Sequence, residues 1–337
     1  MHIGQQLSDF SDRRLALEAQ LGVEHIATGP TLVPGLADEK GRWKRSELGQ
    51  FRDRFSSYGL SLDVLSLETD SLFRSMAMDQ PDTDQRLAVA LDNIRTAAST
   101  GIPCLKYRFH PIGVLRTHVT PGRGGLQYKS FDFTRYDESK HDAEALFRYD
   151  EPVNDVADLR ISVDKAWEVL ERFLKAAVPV AEEVDIKLAI HPQDPPMPPD
   201  ADLNVHHVLG SFDALQRFLD LYSSPVNGLN FCQGTVAEMC ENPATEVLDA
   251  IRRFGAQRKI FMVHFRNIRG GYLNFQEVLP DEGDVDMLAA IRAYREVGYD
   301  GMLCPDHVPH SDSDPDGERQ FSFALGYIRG LIQVANT

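Results

Sequence analysis

His191, Cys232, His264 and Asp306 are the side chains through which this chain could do chemistry, because all four are of metal-ligating type and each closes an apolar run. The runs are 187–191, 228–232, 259–264 and 301–306, one after another along the chain. Two imidazoles, a thiolate and a carboxylate make a mixed nitrogen, sulfur and oxygen donor set suited to a divalent transition metal. Each residue has a plainer reading by itself. A histidine can be a hydrogen-bonded core residue, free cysteine is among the most buried types, and an aspartate between Pro305 and His307 can cap a turn. The recurrence argues against four separate accidents, since the residues hold equivalent positions in successive units. Around His264 the polar residues begin abruptly, in Phe261-Met262-Val263-His264-Phe265-Arg266-Asn267, which core packing does not require. A metal would lower the Cys232 pKa enough to hold it as thiolate. Four protein donors leave room on an ion of higher coordination number, where substrate oxygens would meet a Lewis acid. A closed four-coordinate zinc staple is the alternative use of the same donors.

The elements that must position these residues follow from the hydrophobic pattern. Short apolar runs alternate with helix-length amphipathic segments. Strands are expected at 1–5, 24–28, 61–67 and 104–109, followed by the four runs that carry the donors. Helices are expected at 12–21, 43–58, 82–99, 162–184, 211–221, 244–254, 284–297 and 318–334, several closed by a glycine such as Gly22, Gly59, Gly101 or Gly298. Such alternation implies a parallel sheet, and this many units point to an α/β fold, a (β/α)8 TIM barrel spanning 1–337 as one domain. A doubly wound open sheet is the lesser alternative. In a barrel the C-terminal ends of the strands converge on one mouth, where catalytic residues sit. Two stretches interrupt the pattern: 110–161, with Gly122-Arg123-Gly124-Gly125, and 193–210, with Pro195-Pro196-Met197-Pro198-Pro199. Both leave strands on the mouth side, after the fourth and fifth, and read as active-site loops.

Composition permits this reading and excludes others. A chain of 337 residues, 42% hydrophobic and 26% charged, can bury a full core. The net charge of −16, from 35 basic and 51 acidic residues, opposes nonspecific binding to nucleic acid or to an anionic membrane. No apolar run reaches the roughly 18 residues of a membrane span. Met1-His2-Ile3-Gly4 opens without a basic region or signal core, so a cytoplasmic location is expected. The four cysteines show no paired spacing and suit a reducing compartment. Cys104, Cys240 and Cys304 read as structural.

Several motifs resemble the D-mannonate dehydratase family, whose members are xylose-isomerase-like barrels. They are Leu188-Ala189-Ile190-His191-Pro192-Gln193-Asp194-Pro195-Pro196, Gly228-Leu229-Asn230-Phe231-Cys232-Gln233-Gly234 and His264-Phe265-Arg266-Asn267. Gly283-Asp284-Val285-Asp286-Met287, Gly298-Tyr299-Asp300-Gly301 and Pro305-Asp306-His307 continue the likeness, which covers about 90–335. The resemblance implies that His191, Cys232, His264 and Asp306 bind manganese or a similar ion (iron, cobalt, nickel or zinc). It implies a lyase that dehydrates D-mannonate to 2-keto-3-deoxy-D-gluconate, with a small sugar acid as the partner; a homo-oligomer is expected as well. His307 becomes the candidate proton carrier, because histidine titrates near operating pH; its alternative is a hydrogen bond that orients a metal ligand. Arg266 is a candidate for bidentate grip on the substrate carboxylate, and Asp194 for holding substrate or fixing its loop. Arg108, Arg116 and Arg123 are weaker candidates, each better explained as a surface charge.

The likeness has gaps. The family's Arg-Trp-Tyr-Gly-like segment is missing after Met1, Val308-Pro309 stands where Gly-Arg usually follows the Asp-His pair, and a tyrosine near the start of the last helix is replaced by Phe321 or Phe323. That replacement favours, as the alternative, a metal-dependent sugar isomerase or epimerase on the same barrel; a noncatalytic sugar-acid binding protein that keeps the barrel and metal is a further alternative.

Overall fold

A computed structural model describes residues 1–111, 113–137 and 159–336. Eight parallel strands close into a barrel: β1 (His2–Leu7), β2 (His25–Thr28), β3 (Ser61–Ser66), β4 (Cys104–Arg108), β7 (Lys187–His191), β8 (Asn227–Cys232), β9 (Ile260–His264) and β12 (Met302–Cys304). The ring runs β1-β12-β9-β8-β7-β4-β3-β2, so the strands bearing the proposed donors are neighbours. Helices α1 (Asp12–Gln20), α2 (Arg45–Ser56), α4 (Thr83–Ser99), α5 (Val163–Glu183), α6 (Phe212–Leu221), α8 (Pro243–Ala256), α9 (Met287–Glu296) and α10 (Glu318–Ala335) match the expected ones within a few residues. Side-chain caps fix several starts: Ser11, Ser162, Ser211 and Asp286 each accept a backbone N–H from the first turn of α1, α5, α6 and α9. Gly22, Gly59, Gly101 and Gly298 all have positive φ, as a helix-closing glycine requires.

Strand alternation divides the side chains into two populations. On β4, Leu105 and Tyr107 face the helices and join the main core, while Cys104 points inward. The inward set of Ala27, Val64, Cys104, Ala189, Met262, Met302 and Cys304 forms a separate apolar cluster that fills the barrel interior. Each large side chain buried in the outer core contributes about 1.5–3 kcal/mol. One inward step further along the strands the residues become polar: Gln6, Lys106, His191, Asn230, Cys232 and His264. The apolar plug is therefore the floor on which a polar layer sits, at the C-terminal ends of the strands.

Two short helices were not evident from periodicity: α3 (Asp70–Ala77) and α7 (Gln233–Glu238). The first long insertion is not merely a loop. Its described part forms a hairpin of β5 (His118–Pro121) and β6 (Gln127–Asp132). A second hairpin, β10 (Ile268–Gly271) and β11 (Asn274–Glu277), follows β9, and the two join as an antiparallel sheet in the order β10-β11-β6-β5. Phe131 and Phe275 stack across that junction, with ring centroids 5.7 Å apart. Residues 112 and 138–158 of the insertion lie outside the described residues. Among the described residues the second insertion, 193–210, carries no helix or strand, and no helix is long and apolar enough to cross a membrane.

Candidate active site

Register brings the donors together. His191 ends β7, and Cys232 on β8 lies opposite His264 on β9, which in turn lies opposite Cys304 on β12. Asp306 is not within a strand, as the apolar run suggested, but two residues past β12. One ligand atom from each of His191, Cys232 and His264 lies within 4.8 Å of the others, a spacing one ion could bridge. Asp306 stands beside this trio, with Oδ2 3.4 Å from His264 Nδ1 and 3.9 Å from Cys232 Sγ, while its Oδ1 accepts from Gln6 Nε2 at 3.0 Å.

The electronic state of the four suits a cation, which needs deprotonated donors. Burial pushes His191 down to about 4, so its ring is neutral at ordinary pH. Burial raises the Cys232 thiol, but the neighbouring Arg266 and His264 outweigh it and leave the net value lowered. The Thr235 hydroxyl also donates to Cys232 Sγ at 3.1 Å. The other three cysteines are free and buried, and all move the opposite way: burial pushes Cys104 up to about 12 and raises Cys240 and Cys304 further. Burial opposes ionisation of Asp306 as well, yet His307, His264 and Arg266 hold it well below the usual carboxylate range. Nδ1 of His264 is buried with no hydrogen-bond partner among the described residues, an orphan that a bound ion would satisfy. These residues fit a divalent cation.

Beside the donors lies a buried ionic network that sequence reading located only in part. Arg266 Nη2 contacts Asp194 Oδ2 at 2.8 Å and Glu238 Oε1 at 2.7 Å. Arg116 grips Asp194 with both terminal nitrogens, at 2.5 and 3.1 Å, and its Nε donates to Glu277 Oε1 at 3.0 Å. The surface-charge reading of Arg116 is thus overturned, because its side chain is wholly buried. The cause is the antiparallel sheet: Arg116 lies two residues before β5, Glu277 ends β11, and both are delivered over the barrel mouth. Arg123 does lie at the surface, paired with Asp281 at 2.8 Å, and Arg108 pairs with Asp70 at 2.8 Å. Gly234 permits the packing of Arg266, since a Cβ there would sit 2.4 Å from Arg266 Cγ.

Charge is distributed unevenly through the network. Burial would raise Asp194, but Arg116 and Arg266 hold it well below its ordinary value. Glu277 is likewise lowered to about 2, with burial overcome by Arg116 and His307. Glu238 goes the other way, raised by burial and by its neighbour Asp194. His307 donates through Nδ1 to Glu277 Oε1 at 2.6 Å, and its Nε2 is 3.8 Å from Asp306 Oδ2. Burial opposes its charge, but Asp306 and Glu277 prevail and raise its pKa. Its backbone is left-handed, with φ 42°. Glu238, Glu277, Gln6 and Lys106 were not singled out from the sequence. A signal existed for Glu238, an acid inside Val236-Ala237-Glu238-Met239-Cys240; Glu277 sits on a strand whose partners are remote in sequence.

An eight-stranded barrel with a polar mouth of this kind is the architecture of the xylose-isomerase-like proteins. The chain superimposes with a TM-score of 0.65 on a xylose isomerase domain protein from Alicyclobacillus acidocaldarius, at 15% identity and with both chains fully covered. The crystal structure of mannonate dehydratase from Streptococcus suis matches with a TM-score of 0.81 at 24% identity, covering 99% of this chain and 93% of that one. These two likenesses establish the fold. The family model for D-mannonate dehydratase (UxuA) matches residues 18–336. Mannonate dehydratase 2 of Halalkalibacterium halodurans is 31% identical over 316 residues, which cover 88% of this chain and 89% of that protein. The chain belongs to the D-mannonate dehydratase family. The match extends through most of the N-terminal third, beyond the span over which motifs alone carry the resemblance.

Proposed function

We propose that this protein is a metal-dependent hydro-lyase that converts D-mannonate to 2-keto-3-deoxy-D-gluconate. The observation that carries the proposal is the donor set His191, Cys232, His264 and Asp306, gathered at one barrel mouth in a member of this family. When bound, a divalent ion would draw electron density from the substrate's carboxylate and hydroxyl oxygens and stabilise the charge that builds up there. The reaction transfers the proton on the carbon beside the carboxylate to a base, and the hydroxyl of the next carbon departs as water with a proton from an acid; the enol that remains tautomerises to the 2-keto acid. In this reading His307, held protonated by Asp306 and Glu277, delivers the proton to the departing hydroxyl. Arg266 is assigned a positioning role rather than a grip on substrate, because its Nη2 already serves Asp194 and Glu238 and the residue is almost fully buried. Its charge instead favours the ionised forms of Cys232 and Asp306. Asp194 fixes both arginines.

Manganese is the preferred ion of this reading, the whole chain acts as one barrel domain in a cytoplasmic homo-oligomer, and the described parts of the two long insertions contribute Arg116 and Asp194 beside the site. The test is direct: purified protein with Mn(II) and D-mannonate, assayed for the 2-keto-3-deoxy acid. Formation of that product supports the proposal. An isomer or epimer of a free sugar, with no keto-deoxy acid from any aldonate, would replace it with the isomerase reading.

The donor assignment has its own expected outcome. Cys232→Ser should lower affinity for the ion and shift preference toward harder cations, because the thiolate is the soft donor. Metal content measured on His191→Ala/His264→Ala protein should fall to near zero; a full complement in that variant would dismiss the four-residue site.

A further inference from the structure

Lys106 lies in the polar layer of the barrel yet has no part in the scheme above. It sits on β4 between Cys104 and Arg108, and alternation points it inward, beside Ala189 of β7 in the register. The small side chain of Ala189 leaves the lysine room to extend toward the mouth, where it is half-buried. Its Nζ donates to Gln6 Oε1, and Gln6 passes the contact on through Nε2 to Asp306 Oδ1 at 3.0 Å. The lysine is thus one side chain removed from a proposed metal donor.

The partners of the neighbouring cations isolate it. Arg108 pairs with Asp70, Arg116 with Asp194 and Glu277, Arg266 with Asp194 and Glu238, and His307 with Glu277. Lys106 has a neutral amide instead, and no carboxylate of the described residues makes an ion pair with it. A cation withdrawn from water without a paired anion is unfavourable unless something else supplies the negative charge. Burial indeed pushes the Lys106 ammonium below its ordinary value, with Asp306 and Glu68 offsetting only part of the effect. A fold that keeps four cations neutralised and leaves a fifth facing the mouth has reserved that charge for a ligand.

We propose that Lys106 is a specificity-determining residue that binds the carboxylate of the sugar acid, held in place by Gln6. The assignment rests on the dehydratase reading for the identity of the acid. It also answers what the arginines leave open, since their charge is already matched within the protein.

The test uses a ligand that cannot react: the 3-deoxy analogue of D-mannonate, which has no hydroxyl to expel, and its neutral counterpart, the 3-deoxy alditol. Affinities for both are measured calorimetrically on manganese-loaded wild type, Lys106→Met and Lys106→Gln, with metal content determined in parallel. The wild type is expected to prefer the acid. Both variants should retain metal and lose roughly ten- to a hundredfold in affinity for the acid, the usual scale for a hydrogen bond to a charged group, while binding the alditol as before. Two substitutions of different polarity guard against misfolding of either one. An undiminished preference for the acid in a folded variant overturns the assignment, as does a wild type with no preference. Loss of the preference in a protein that forms no keto-deoxy acid from D-mannonate would retain the Lys106 site and overturn the dehydratase reading.

Discussion

Arg116→Met should destabilise the protein by about 3–5 kcal/mol, the range seen when one partner of a buried ion pair is removed, lowering the melting temperature by roughly 4–7 °C. Methionine fills a similar volume, so the loss is mainly electrostatic. Arg116 is wholly buried and touches Asp194, Glu238 and Glu277, and its guanidinium also lies over the Phe275 ring, 4.9 Å from the centroid. Without it, Asp194 and Glu238 would keep only Arg266 as a cationic partner and Glu277 only Arg266 and His307, all of them almost fully buried. Calorimetric unfolding of the variant checks the prediction; a melting temperature within a degree of wild type would mean that the network contributes nothing net.

The same network sets an acid limit with a definite sign. Asp194 and Glu277 have lowered values in the folded state, Glu277 near 2 against an ordinary 4.5. Both therefore contribute stability that is complete above their unfolded values and is lost as pH falls through the folded ones. Glu238 is raised, so it stays protonated in the folded protein and is protonated in the unfolded chain below about 4.5; it adds no slope in that acid window. Between pH 4 and 2, roughly one to two protons are taken up on unfolding, and stability should fall by about 1.4–2.7 kcal/mol per pH unit. Arg116→Met should flatten this limb, because the cation that lowers both acids is gone.

The barrel was legible in the sequence because its signals are local. An apolar run, a glycine past a helix end or a serine before one each reports on a few residues, and the strands carrying His191, Cys232 and His264 ended where those signals put them. The donor set was legible for the same reason: parallel strands bring equivalent positions into register, so like positions in successive units become neighbours in space. The network was not legible, because it depends on pairing distant segments. Arg116 and Glu277 meet only because the hairpin after β4 pairs with the hairpin after β9, through Phe131 and Phe275. Nothing near Arg116 in the chain distinguishes it from Arg123, which does reach solvent. Lys106 was hidden differently. In a strand of five residues the inward and outward faces can be told apart, but whether an inward lysine meets a carboxylate or an amide depends on what β1 presents across the barrel.

His307→Asn should lower turnover of D-mannonate by ~10²-fold or more, the usual scale for loss of a positioned acid or base, while metal content stays at the wild-type level. Asparagine is the informative replacement because it tolerates the left-handed backbone that His307 adopts, at φ 42°, better than most residues. It removes the ionisable ring without straining the turn that carries Asp306. Glu277 keeps Arg116 as a partner in the variant, so the acid is not left buried without a cation. Two measurements separate proton transfer from a merely orienting role. If His307 moves a proton, the variant should bind the ion normally and turn over slowly. If it only orients Asp306, whose Oδ2 lies 3.8 Å from its Nε2, affinity for the ion should fall and added manganese should restore activity. Solvent deuterium incorporation beside the carboxylate refines the first outcome. A proton carrier needed for expelling hydroxide would leave exchange at that carbon faster than water release in the variant. Full turnover in the variant, with metal bound, would remove His307 from the chemistry altogether.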